Sequence, residues 1–159
     1  MFILKNYCDK STIELELNLH DGKGFIYEKN QEDYLNWIPY KLSLTVGANQ
    51  YILDDMSFSL EGLKCFLNKM QKVLDERNTT NEYQIVSYCG SENVFEVSFQ
   101  YTDDYFEDLI IHTEIWVNAA CMPMPQSGYS VGYKFNIKYK DLEQFVKDLK
   151  NQLISLLKN

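Results

Sequence analysis

The sequence contains almost no arginine. Only one of its fifteen basic residues, Arg77, is an arginine, and the formal net charge is −8. Arginine supplies most of the paired hydrogen bonds by which proteins hold phosphates and base edges. An acidic surface also repels phosphate backbones and anionic lipid heads, whereas it attracts basic proteins and speeds their encounter. We therefore expect no direct nucleic-acid ligand and no membrane, and a basic protein as the partner.

Cysteine and histidine are few and widely spaced. The four cysteines contain no C-x-x-C pair, and neither histidine stands at a metal-ligand spacing from them. Glycine-rich phosphate loops, the G-x-S-x-G turn and HExxH are also missing from the sequence. No motif for a cofactor, a metal or catalysis is present, and we expect free, mostly buried thiols in a reducing compartment at Cys8, Cys65, Cys89 and Cys121.

Long apolar runs are missing as well. No stretch approaches the roughly 18 apolar residues that a membrane-spanning helix needs, and the start has no basic segment followed by an apolar run. A chain of 159 residues has the usual length of one domain with its own core. We expect a single cytoplasmic domain over residues 1–159.

The chain is rich instead in tyrosine and phenylalanine, with twelve and nine residues, which favour strands. Apolar and polar residues alternate from Ser11 to Leu19 and from Ile38 to Val46, the period of two of a strand with one wet face. A turn at Gly47 and a short strand at Tyr51–Leu53 predict a hairpin. Four further segments have the composition of strands: Tyr83–Tyr88, Val94–Tyr101, Leu109–Val117 and Tyr129–Tyr139.

Two segments have helical periodicity. Apolar residues recur at helical spacing from Leu60 to Glu76, and Ser59 is the predicted N-cap. A second helix follows the last strand, with Asp141 as its predicted N-cap and Gln144 at the capping-box position. Strands in runs, each run closed by a helix, predict an α+β fold: a mainly antiparallel, curved β-sheet with two amphipathic helices packed on one face.

Negative charge is most concentrated in the stretch QYTDDYFEDLI, residues 100–110. Three interpretations compete: a metal site, a pair of catalytic carboxylates, or a charged surface for a basic partner. A calcium loop needs a defined order of oxygen ligands and usually a glycine, and this stretch has neither. A glycosidase pair needs two carboxyls facing each other across a pocket, one of them with its pKa raised by burial.

A hairpin places this charge in water. If Val94–Tyr101 pairs with Leu109–Val117 so that Phe99 faces Leu109, the carboxylates lie at or beside the hairpin tip. Most charge runs are only solvated surface, but two aromatics among these charges are typical of a binding hot spot. We therefore predict partner contacts by Asp103, Asp104, Tyr105, Glu107 and Asp108, with Trp37 either as a second contact or in the core.

Several segments resemble the WapI type of bacterial immunity protein. The run EDYLNWI, residues 32–38, precedes a strand at Tyr40–Val46, a second strand and the helix SLEGLKCFLNKMQKVL. Near the other end, the aromatic strand YSVGYKFNIKY leads through Asp141 into LEQFVKDLKNQLISLL. The similarity in the order of elements covers about half of the chain, and it includes neither the acidic stretch nor the Met-Pro segment at 118–128.

The resemblance implies a cytoplasmic protein that binds and neutralises the toxic C-terminal domain of a polymorphic or contact-dependent toxin, in WapI-like cases a tRNA-cleaving nuclease. Such a toxin must present a basic surface to RNA, and an acidic inhibitor with aromatic anchors can cover that surface. The inhibitor needs no catalysis and no cofactor, and we expect a monomer or a weak homodimer. The residues themselves leave two alternatives open: a small enzyme acting on a neutral or cationic substrate, or a structural module that assembles with copies of itself.

Overall fold

A computed structural model of the chain describes residues 2–7, 12–20, 25–32, 36–75, 85–89, 94–101, 110–118 and 130–158, with positions 55–57, 85–89 and 101 described by their backbone alone. Eight strands and two helices lie in these residues. The strands form two four-stranded sheets in which every neighbouring pair is antiparallel. The predicted α+β class is confirmed, and the strands expected in one sheet divide into two.

In the first sheet each strand pairs with its neighbour in the chain. Its inward side chains are apolar and its outward side chains mostly polar, which is the alternation visible in the sequence at 13–19. Gly47, with φ +58°, makes the tight turn between the third and fourth strands. The bounds are β1 (Ile3–Lys5), β2 (Ile13–Leu19), β3 (Ile38–Val46) and β4 (Asn49–Phe58).

The fourth strand is much longer than the predicted Tyr51–Leu53. The backbone remains paired with β3 up to Phe58, past the acidic pair that follows Leu53. Between the pairs Tyr40↔Asp55 and Ile38↔Phe58, β4 has one residue more than β3. This bulge changes the parity of the strand, so that Phe58 joins Tyr51 and Leu53 on the core side.

The second sheet is again a meander, in which each strand pairs with its neighbour in the chain. It includes the predicted hairpin of the sixth and seventh strands, but the predicted register was wrong. Phe99 lies opposite Thr113 and not opposite Leu109, a slip of four residues. An even slip leaves every side chain on its predicted face, so alternation alone could not detect it. The bounds are β5 (Ile85–Cys89), β6 (Phe95–Tyr101), β7 (Ile110–Asn118) and β8 (Ser130–Lys138).

Helix α1 (Leu60–Asp75) begins as predicted at Ser59. The backbone N–H of Gly62 donates to the Ser59 hydroxyl at 3.0 Å, which satisfies one of the free donors of the first turn. The apolar stripe of α1 is buried, and Glu61 lies near the positive end of the helix dipole. Cys65, on the other side of the helix, is exposed. The thiols of the other three cysteines lie outside the described side chains, so the expectation of mostly buried thiols stays a prediction.

Helix α2 (Tyr139–Leu156) begins two residues before the predicted cap. Lys138 is the N-cap and makes no side-chain cap hydrogen bond, so the assignment of Asp141 as the cap was wrong. Asp141 lies inside the first turn, where its carboxylate accepts from the backbone N–H of Lys138. Burial raises the pKa of Asp141, and the nearby Lys138 partly opposes that rise. An acidic residue therefore caps this helix start from within the first turn, although its burial disfavours the charged form.

One hydrophobic core unites both sheets and both helices. At its centre the ring of Tyr40 from β3 lies 4.7 Å from Phe58 of β4 and 5.8 Å from Phe95 of β6, both edge-on. Phe66 of α1 stacks on Phe58 at 6.2 Å. Edge-to-face contacts of this kind stabilise aromatic cores beyond simple burial. The abundance of aromatic residues predicted strands. In the structure, ring contacts among these residues also connect the two sheets and α1.

The two sheets meet along a seam between β1 and β8. The backbone N–H of Tyr7 donates to the carbonyl of Asn136 at 2.6 Å, and the N–H of Asn136 donates to the side-chain oxygen of Asn6 at 3.4 Å. Helix α2 packs against β1 and β2 on one side of this seam and against β7 and β8 on the other. Neither described helix is long and apolar enough to cross a membrane.

Candidate partner-binding surface

The acidic residues singled out in the sequence lie outside the described residues. Asp103, Asp104, Tyr105, Glu107 and Asp108 belong to the connection between β6 and β7, which are described up to Tyr101 and from Ile110. The hairpin that carries the stretch is therefore present. Partner binding by these five residues stays a prediction.

Trp37 lies just before β3 and is half-buried. Its neighbour Asn36 is 3% exposed and is anchored to the backbone of Glu28 in both directions. The Glu28 N–H donates to Asn36 Oδ1 at 3.0 Å, and Asn36 Nδ2 donates to the Glu28 carbonyl at 2.9 Å. Trp37 thus follows an anchored residue and is itself neither fully buried nor fully exposed, and its role in binding stays a prediction.

The outward side of β6, β7 and β8 forms a surface of different character, which we call the Trp116 face. Its side chains stand in three rows across the strands, because the register places even-numbered residues of all three strands on the outside. The rows are Glu96–Trp116–Gly132, Ser98–Glu114–Lys134 and Gln100–His112–Asn136.

Trp116 is the large apolar residue of this face, and it is 41% exposed. Its ring lies on the backbone of Gly132, the residue opposite it on β8. A Cβ atom at position 132 would overlap three atoms of the six-membered part of the indole. Glycine is therefore what allows the ring to lie flat against the strand while its other side remains open to solvent.

Polar contacts hold the indole in this position. Trp116 Nε1 donates to Glu114 Oε1 at 2.6 Å, and the other carboxylate oxygen of Glu114 lies 3.0 Å from Lys134 Nζ. The indole N–H and, after it, the Lys134 ammonium hold the pKa of Glu114 below its ordinary value. Glu114 therefore stays ionised at neutral pH and accepts from both neighbours at once.

The adjoining row is also paired. His112 Nδ1 and Asn136 Oδ1 lie 3.0 Å apart across β7 and β8, so the imidazole is oriented by the amide of the neighbouring strand.

At the edge of the same sheet, Lys138 Nζ lies 5.3 Å from the ring centroid of Tyr7, a cation–π contact that crosses the seam. The polar groups of the face are thus arranged before any partner arrives.

The outer face of the first sheet serves as a comparison. Lys5 and Glu14 form an ion pair of 2.8 Å, and His20 Nε2 lies 3.3 Å from Asp54 Oδ1. Its exposed apolar residue is Ile52, which is 39% exposed. Unlike Trp116, Ile52 has no side-chain donor through which a neighbouring group could hold it in place.

Trp116 did not stand out in the sequence. It occupies an outward position in a strand that was recognised for its inward apolar residues, and a single large residue on a wet face is common. The useful signal was the pairing with Gly132, which depends on the register of β7 with β8. No local pattern fixes that register, because the connecting segment is long.

No three or more His, Cys, Asp or Glu side chains come together to hold a metal ion in the part of the chain that the structure describes. What the described surface offers is an exposed, fixed aromatic residue among paired charges on a sheet face. Such an arrangement is typical of a protein that binds another protein.

The sequence matches the Immunity protein WapI-like family over residues 6–156, and the chain belongs to this family. The resemblance seen in about half of the sequence is confirmed over most of it. Membership of this family implies that the chain binds a toxin as its partner. A comparison with curated proteins gives no match.

Proposed function

We propose that the chain is a cytoplasmic immunity protein that neutralises a basic, nuclease-type toxin domain by covering it, without catalysing a reaction. The observation that carries this proposal is membership of the immunity family over residues 6–156. The architecture supports it, because the helices and inward aromatics form the core while the outer sheet faces remain available for contact. The protein acts as one domain and is a monomer, or at most a weak homodimer, before it meets the toxin.

Charge supports the choice of a basic partner. The chain carries a formal net charge of −8, and a nuclease must bind phosphates through positive groups. Opposite fields raise the association rate at low salt and lose that effect as ions screen them. The proposed contacts are the predicted acidic residues together with Trp37: Asp103, Asp104, Tyr105, Glu107, Asp108 and Trp37.

The direct test is protection in cells. The reading frame next to this gene is first examined for a secreted toxin, and the C-terminal domain of that toxin is then induced in bacteria with and without the chain. We expect growth arrest without the chain, growth with it, and a complex that co-purifies. Growth arrest that the chain does not relieve, together with no complex, would overturn the proposed function.

A second test concerns where the charge acts. Reversing four carboxylates of the acidic stretch to lysine should slow association about tenfold or more and flatten its salt dependence. These substitutions are Asp103→Lys, Asp104→Lys, Glu107→Lys and Asp108→Lys.

The control has the same change in net charge at exposed sites elsewhere. Its substitutions are Glu32→Lys, Glu61→Lys, Asp75→Lys and Glu143→Lys. We expect the control to slow association less than the acidic-stretch variant, as measured by stopped flow at several salt concentrations. Equal slowing by both variants would mean that only net charge matters and that the contacts lie elsewhere.

A further inference from the structure

The side chain of Trp116 is held in one position by several contacts, although it lies on the surface. One side of its ring lies on Gly132, and its Nε1 is bonded to Glu114, which in turn holds Lys134. A side chain that is already fixed loses little conformational freedom when a partner packs on it, and tryptophan is the residue most enriched in binding hot spots. The exposed side of the indole can therefore bind a partner with little loss of conformational freedom. Within the described fold, this side makes no such contact.

The charge around the ring indicates what that contact is. Glu96 lies opposite Trp116 on β6 and is exposed, and Glu114 touches the indole on its own strand. The nearby ammonium of Lys134 is engaged by Glu114. Among the described residues no cation lies over the Trp116 ring, whereas the ring of Tyr7 has Lys138 over it. An aromatic face next to an exposed carboxylate attracts a positive side chain.

We propose that Trp116 is the anchor of the toxin-binding surface and that its open face receives an arginine or lysine side chain of the toxin domain, with Glu96 as the second contact to that cation. This inference rests on the proposed function and adds a site to it. A toxin domain that binds RNA carries such side chains on the surface that must be blocked. The site is separate from the acidic stretch, which is predicted to govern the rate of encounter, whereas a packed anchor governs the lifetime of the complex.

The experiment measures the affinity of the purified chain for the toxin C-terminal domain by calorimetry and by surface plasmon resonance. Trp116→Ala should raise Kd by about 30-fold or more, mainly through faster dissociation. Trp116→Leu should lose nearly as much, because leucine keeps apolar area but has no ring to hold a cation. The matched control is Ile52→Ala, whose side chain is 39% exposed against 41% for Trp116 but lies on the other sheet. It should change Kd by less than about twofold, as an apolar residue outside the interface would.

Glu96→Lys gives an independent reading. Residue 96 is exposed, so the substitution leaves the core intact, and a lysine there would face the toxin's own cation. We expect affinity to fall about tenfold or more. Thermal unfolding of each variant checks that it folds like the unmodified chain.

The outcomes separate the two proposals. If the unmodified chain neither binds the toxin domain nor protects cells, the proposed function is overturned and the anchor with it. If the unmodified chain binds but Trp116→Ala and Glu96→Lys bind equally well, the anchor alone is overturned. Full affinity in Trp116→Leu would exclude a cation over the ring. A dimer in sedimentation that Trp116→Ala dissociates, with toxin affinity unchanged, would assign the face to a second copy of the chain and also overturn the proposal.

Discussion

Thr113 is a polar residue in an apolar position. It lies between Phe99 and Phe135 on the inward side of the second sheet, is 0% exposed, and its hydroxyl has no hydrogen-bond partner among the described residues. A buried hydroxyl that lacks a partner costs about 1–3 kcal/mol relative to one in water. Valine has nearly the same shape without that cost, so the position retains a polar group at the expense of stability.

Replacing Thr113 by valine should therefore raise the free energy of unfolding by about 1 kcal/mol. Urea denaturation followed by circular dichroism measures the change. The matched control is Thr45→Val, on the half-buried outer side of β3, where water can serve the hydroxyl and the change should be much smaller. A less stable Thr113→Val variant would show that the native hydroxyl does have a partner.

Single residues also mark the limit of what the sequence predicts about the candidate site. Charge composition predicted an acidic binding protein, because charge is counted without knowing where the residues lie. Trp116 could not be assigned in this way, since its importance comes from Gly132 across β7 and β8 and from Glu114 beside it. A binding site that depends on which residues lie opposite each other in a sheet can be recognised only when the strand pairing is known.

At the scale of elements, periodicity predicted β2, β3 and α1 well, because alternation and helical spacing follow directly from burial on one side. The boundary predictions failed where one local residue pattern is compatible with two different structures. Asp141 resembles an N-cap but lies within the first turn of α2, and the strand predicted to end at Leu53 continues through a bulge to Phe58. The three-residue β1 was not predicted, since so short a strand has no periodicity of its own.

Helix α2 also completes the edge of the first sheet. Strand β1 pairs with β2 only from Glu14 to Glu16, so the far end of β2 extends past it. There the side chain of Gln152 accepts from the backbone N–H of Leu19 at 2.7 Å. The same side chain donates to Asp148 at 2.8 Å, which fixes its orientation. One glutamine of the helix thus takes the place of a missing strand partner.

Gln152→Ala should lower the free energy of unfolding by about 1–2 kcal/mol, because it leaves the Leu19 N–H without this acceptor. Hydrogen exchange at the Leu19 amide should accelerate at the same time, since the edge opens locally. Gln144→Ala is the matched control, an exposed glutamine of the same helix. Unchanged exchange at Leu19 in Gln152→Ala would contradict the role given to this side chain.

At the scale of the whole molecule, the two sheets are linked by a hydrogen bond between tyrosines. The hydroxyls of Tyr51 on β4 and Tyr133 on β8 lie 2.9 Å apart. The hydrogen bond to Tyr51, aided by burial, raises the pKa of Tyr133 to about 12 from its ordinary value of 10. Since the raised pKa belongs to the folded state, the contact stabilises the protein fully below pH 10 and is lost as the pH rises through about 12.

The stability of the native protein should therefore fall more steeply between pH 10 and 12 than that of Tyr51→Phe, which lacks the bond from the start. Urea midpoints measured at intervals across this range test the difference. Ultraviolet titration of Tyr51→Phe should also show the pKa of Tyr133 lower than in the native protein. Parallel stability curves for the two proteins would mean that the tyrosine pair does not join the sheets energetically.

The meander order of both sheets has a consequence for how the protein is made. The first sheet uses residues 3–58 and the second uses 85–138, and within each sheet every strand pairs with the next one in the chain. Pairing between chain neighbours keeps the sequence separation of contacting strands lower than a sheet with crossovers would, which favours rapid folding. The first sheet can form while the second is still being translated. Helix α2 contacts both sheets and follows them in the chain, so we expect it to dock last.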